Sequence, residues 1–130
     1  MRLLVSVLAM LATPAGACAV AEAFFVTDVA QGPVVVVADV TGYSLGQNGG
    51  LLSMTVSEVW KGTAPAHLTA RWGIALAEAP PATWGRPRQV IAALTPVGQG
   101  FDLVVQVCGQ AHLVPDTPAA RRDIRAALAP

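Results

Sequence analysis

Charge is scarce in this chain: eight Lys+Arg balance eight Asp+Glu, and charged residues make up 12% of the 130. With no excess of either sign, no field steers nucleic acid to it or holds it on an anionic membrane. Aromatics are 5%, and stacking on bases without a basic groove has no electrostatic partner. The histidines are His67 and His112 and the cysteines Cys18 and Cys108. None of them stands at H-x-x-H, C-x-x-C or H-E-x-x-H spacing, so the sequence assigns no metal site and implies no cofactor, although His112 follows Cys108 closely. Internal repeats, heptads and low-complexity tracts are also lacking, apart from one proline-rich loop.

What remains is apolar. Hydrophobic residues are 54% of the chain, ample for one domain around one core. Met1–Ala17 has the three parts of a secretory signal: Arg2, the apolar run from Leu3 to Ala12, and the small residues Ala15-Gly16-Ala17. The run is about ten residues, short of the roughly 20 that span a bilayer. The expected organisation is a signal peptide over 1–17 and a single exported domain over 18–130, periplasmic or secreted. Cleavage after Ala17 makes Cys18 the first mature residue. Lipid attachment at Cys18 would anchor the chain to a membrane; a Cys18–Cys108 disulfide, the favoured reading, would close a loop of about 90 residues. In the chain-entropy model that closure stabilises by roughly 4–5 kcal/mol.

The pattern along the chain is that of strands. Leu52, Met54 and Val56 alternate with Ser53, Thr55 and Ser57, and then the phase slips at Val59. An extra residue near Ser57 and Glu58 restores the alternation, as a β-bulge does where a sheet bends. A bent central strand suggests a barrel. Ahead of it, Val34–Thr41 is a β-branched run for a strand buried on both sides, joined to the central strand through Asn48-Gly49-Gly50 as a hairpin. His67–Trp72 alternates cleanly, Gln89–Thr95 is another apolar strand, and Phe101–Cys108 alternates as the fifth. The chain from Ala77 to Arg88 holds too many prolines and glycines for a regular element. Glu22–Ala30 fits a short helical or an extended lead-in. Thr117-Pro118 reads as an N-cap and first helical position, followed by a helix to Leu128. Its stripe of Ala120, Ile124, Ala127 and Leu128 docks on the barrel, with Arg121, Arg122, Asp123 and Arg125 facing water.

Val59-Trp60-Lys61-Gly62, Val107-Cys108-Gly109, a Cys straight after a signal and the C-terminal helix resemble the bacterial proteins related to tissue inhibitors of metalloproteinases. The resemblance runs from about Val34 to Leu128. It implies an all-β fold with a C-terminal helix, an OB-like five-stranded Greek-key barrel. It also implies a way to inhibit a protease, in which the free α-amine and carbonyl of the mature N-terminal Cys18 sit on the protease's zinc.

Catalysis has one pattern to weigh. Gly42-Tyr43-Ser44-Leu45-Gly46 fits G-x-S-x-G, and Asp102 and His112 follow in the order of a Ser, Asp, His set. A nucleophile elbow needs a helix straight after its serine, however, and Gln47–Gly50 is a turn into another strand. Trp60, Trp72 and Trp84 are the aromatic candidates for recognition. Trp72 reads as core, Trp60 as outward and packed under a loop, and Trp84, flanked by Arg86 and Arg88, as either a protein contact or a tuck onto the barrel. The leading reading is a non-catalytic binding module of the cell envelope with a protein partner. Its candidate surface is Cys18, Ala19, Trp84, Arg86 and Arg88. The inhibitor acting through Cys18 comes second and a small hydrolase using Ser44 third.

Overall fold

The polar–apolar alternation at Leu51–Ser57 becomes the middle of the longest hairpin of the molecule. The computed structural model describes residues 24–47, 49–73, 80–85, 87–106 and 110–130. Among these, a 3-10 helix at Val26–Gln31 leads into strands β1 (Val34–Gly46), β2 (Gly49–Lys61), β3 (His67–Trp72), β4 (Gln89–Val97), β5 (Gly100–Leu103) and β6 (Leu113–Pro115), followed by helix α1 (Pro118–Leu128). The sheet runs β1-β2-β3-β5-β4 and closes by pairing β4 back on β1, with β6 added beside β4. Every pairing is antiparallel except β3 with β5. The result is a closed five-stranded barrel with a C-terminal helix, as the sequence pattern suggested, and its OB-like form is the one the resemblance implied.

The phase slip in β2 is a real bulge. Val37 lies opposite Glu58 and Ala38 opposite Val56, which leaves Ser57 as the extra residue. A second bulge leaves Trp60 extra between Val59 and Lys61, and a third leaves Thr41 extra on β1. Each adds local twist, and together they coil the long hairpin enough to close a small barrel. Gly62 ends β2 at φ +73°, where a Cβ would come within 2.7 Å of the Pro33 carbonyl oxygen. Only glycine suits both demands.

Two apolar clusters explain why the β1 and β4 sequences are continuous rather than alternating. Val34, Val36, Ala38 and Val40 point into the barrel with Leu52, Met54, Leu68, Ala92 and Leu94. Val35, Val37, Ile91, Ala93 and Val114 point outward, where Val29 and Ala30 of the 3-10 helix and Ala120 and Ile124 of α1 cover them. The 3-10 helix is pinned at its end by Lys61, whose Nζ donates to the Ala30 carbonyl at 3.2 Å. In α1, the Thr117 hydroxyl accepts from the Ala120 N–H at 3.1 Å, with Pro118 at the first turn as the sequence suggested.

Two expectations change. The strand expected over Phe101–Cys108 ends at Leu103, because β5 and β6 share one edge of β4. β5 takes Leu94–Val97 and β6 takes Val90–Ala92, so the chain must leave β4 after Val104, whose N–H still donates to the Ala93 carbonyl at 3.0 Å. The second change concerns α1. Arg121 and Arg125 do not simply face water; they reach across to Glu58 on β2 at 2.8 and 3.1 Å. Their guanidinium groups lie 5.7 and 4.6 Å from the Trp60 ring centre. Arg121 also forks onto Asp116 at 2.6 and 2.9 Å, and these acids hold its pKa above the ordinary arginine value. Each exposed pair contributes little alone, and a stacked cation about 0.5–1 kcal/mol. Linked through one ring and two carboxylates, they fix the angle at which α1 meets the barrel.

Ile124 is fully buried in the outer cluster. Ile124→Ala is expected to lower the unfolding free energy by about 2–5 kcal/mol in chemical denaturation; a loss below about 1 kcal/mol would mean that α1 is not docked on the wall.

Candidate functional site

Among the described residues the wall opposite α1 carries no helix, and there the polar faces of β2 and β3 line an open groove. Ser53 pairs with Thr69 and Thr55 with His67, so their side chains share the outer face. The Thr55 hydroxyl lies 3.3 Å from His67 Nδ1, and the Thr41 hydroxyl donates to the Ser53 carbonyl at 3.2 Å. Across from them the β4–β5 turn, with Gly98 at φ +59°, brings in Gln99 and Gly100. The space between is about 460 Å³, and Met54, Leu68 and Phe101 contribute to its lining. It continues past Thr69 into a second hollow of about 260 Å³ beside Leu51, Arg71, Val97 and Asp102.

Arg71 and Asp102 stand opposite each other on β3 and β5 and form a two-pronged pair, Nε and one terminal nitrogen each 3.0 Å from a carboxylate oxygen. The hydrogen bonds and charge of Asp102 hold the Arg71 pKa above its ordinary value. The groove end is therefore neutral as a unit while still offering donors and acceptors. Leu51 and Val97 leave exposed apolar surface next to it.

The residues singled out in the sequence fall elsewhere. Trp84 is half-buried; its Nε1 donates to the Pro87 carbonyl at 3.1 Å, and its ring lies 6.3 Å from Tyr43 and 6.4 Å edge-on from Trp72. Tyr43 donates its hydroxyl to the Pro81 carbonyl, and burial raises its pKa. These three rings tie the proline-rich loop to the barrel, which is the tuck rather than the exposed contact. Trp60 lies on the outer wall as expected, under α1 rather than under a loop. Arg88 is exposed, and its carbonyl accepts from the Val40 N–H at 2.7 Å. Cys18, Ala19, Arg86 and Cys108 lie outside the described residues, as does the whole of Met1–Ala17.

Ser44, Asp102 and His112 are not brought together. Ser44 is exposed near the tip of β1 opposite Leu51, and Asp102 is engaged by Arg71. The His112 carbonyl accepts from Ala93, which stands opposite Val35. From Val35 to Ser44 is about nine residues of strand, roughly 30 Å at 3.3 Å per residue. Among the described residues no group of three His, Cys, Asp or Glu could hold a metal ion. None of the described helices is long and apolar enough to cross a membrane.

His112 is 7% exposed, and neither ring nitrogen has a partner among the described residues. Its ring packs against Phe24 at 5.4 Å. Beside it Gln106 donates to Asp28 on the 3-10 helix at 3.5 Å. Burial lowers the His112 pKa, partly opposed by the charge of Asp28. The apolar flank Ala111, Leu113 and Val114 was the sequence signal for this burial. The groove had a signal too, in the polar halves of two alternating strands, but which outer wall stays open depends on where α1 docks.

No family model, curated protein or solved structure matches the chain. The functional reading therefore rests on this geometry.

The buried imidazole sets a pH dependence. Its folded pKa is below the unfolded value of about 6.5, so as pH falls through that value the unfolded chain takes up a proton that the folded chain refuses. Stability is thus lost on going from pH 7 to 5.5, above the carboxylate range. His112→Phe is expected to flatten this loss in denaturation midpoints; an equal loss in the variant would mean that His112 is not held neutral.

Proposed function

We propose that this chain is an exported, non-catalytic binding module of the cell envelope, and that it engages a protein partner through the β2–β3–β5 groove. Export follows the signal read in Met1–Ala17. The observation that carries the binding reading is the asymmetry of the barrel. One outer wall has its apolar cluster covered by the 3-10 helix and α1, with a hollow at its edge beside Asp39, Arg88 and Asp116, whereas the other is lined by Thr41, Ser53, Thr55, His67 and Thr69 around about 460 Å³ of open space. A concave surface that mixes hydroxyls with the partly exposed Phe101 suits recognition. The separation of Ser44 from His112 and the engagement of Asp102 by Arg71 favour binding over hydrolysis. Trp84, committed to Tyr43 and Trp72, leaves the groove as the better candidate surface.

The test is site-specific photocrosslinking in the native host, with a benzoyl-phenylalanine placed in turn at Ser53, Thr69 and Arg122, the last on the outer side of α1. Adducts of one discrete mass from Ser53 and Thr69, and none from Arg122, are expected. No adduct from either groove position, or equal adducts from all three, would contradict the reading.

A further inference from the structure

The groove has a backbone wall as well as side chains. β3 pairs with β2 along its whole length, from His67 to Trp72. Its other edge meets β5 only at Ala70 and Arg71, because β5 begins at Gly100. In that register Gly100 comes beside Thr69, so His67 and Leu68 are the residues with no strand on that side among the described residues. The Val56 N–H donates to the Ala66 carbonyl at 2.8 Å, so Ala66 faces β2. In an antiparallel ladder successive residues alternate between the two sides, which turns the N–H of His67 toward the groove.

We propose that this groove takes an extended peptide segment of a partner protein, added as a short strand beside β3 at His67–Leu68. The proposal rests on the binding reading above and names its partner class. An open strand edge is a template for another main chain, and the affinity of such additions comes from main-chain hydrogen bonds. Two residues of edge run roughly 7 Å, the length of two peptide units. Phe101, only partly buried at the groove, offers one inward side chain an apolar contact. The nearest charged pair, Arg71 with Asp102, neutralises itself, which suits a segment without net charge. A glycan or a nucleic acid has no amide repeat to match the edge, and Phe101 packs against the core rather than standing out as a stacking platform.

The test pans a phage-displayed library of random decapeptides on the purified protein and measures the selected peptides, synthesised and labelled, by fluorescence anisotropy. Peptides with apolar residues at alternate positions are expected. His67→Pro removes one edge N–H at the first residue of a strand, where proline is tolerated, and should weaken them about tenfold. Gly100→Leu, whose new Cβ has its nearest neighbour at 3.9 Å, should block the groove from the far side and abolish binding without touching the β3 backbone. Methylating alternate peptide amides should abolish binding in one register and spare it in the other. Failure to select any peptide, equal binding to both variants, or equal effects of the two methylation registers would each overturn strand addition. If Thr69 crosslinks a partner in the host while no peptide is selected, the groove binds by other contacts and strand addition alone is wrong. If neither occurs, both readings fall.

Discussion

The rest of the structure depends on a barrel wall that is apolar on both sides. Val34 to Val37 and Val90 to Leu94 are all at most 3% exposed. Half of those side chains fill the barrel; the other half would lie in water without a second layer. The outer cluster meets this with Val29 and Ala30 from before β1 and with Ala120 and Ile124 from the end of the chain. Residues near both ends of the described chain are thereby held on one wall, and among the described residues the opposite wall is left bare. Removing apolar area from water is the main driving force here, with the charged contacts of α1 setting orientation more than affinity.

The bulges connect this packing to the helix. Because Trp60 is an extra residue in β2, its ring projects to the outer wall rather than into the barrel. There it lies under Arg121 and Arg125, next to Glu58. The same coiling of the hairpin that closes the barrel thus supplies the seat for α1. With α1 on that wall, the β2–β3 face is the open one among the described residues.

Much of the fold was legible in local pattern. The phase slip at Val59 marked the bulge at Ser57, and the unbroken Val34–Val37 run marked a strand covered on both faces. Thr117-Pro118 marked the start of α1. What was not legible depended on distant partners. No local pattern shows that β5 and β6 must divide one edge of β4, so the strand at Phe101 seemed longer than it is. Arg121 and Arg125 looked solvated because Glu58 and Trp60 are some 60 residues away in sequence. Trp84 looked available because its partners, Tyr43 and Trp72, come from two other strands. The polar faces of β2 and β3 were readable one strand at a time. Their meeting in a groove required the register that sets Ser53 beside Thr69 and Thr55 beside His67.

The central claim is a closed barrel with one wall covered by α1 and, among the described residues, one open strand edge, and amide hydrogen exchange followed residue by residue in the free protein tests it most directly. The account predicts that amides in the doubly buried stretches of β1 and β4 exchange only through global unfolding. Within β3 it predicts a contrast, with Leu68 and Ala70 protected by β2 and with His67 exchanging fast. Protection of His67 equal to that of Leu68 would show the edge to be covered and would contradict the account.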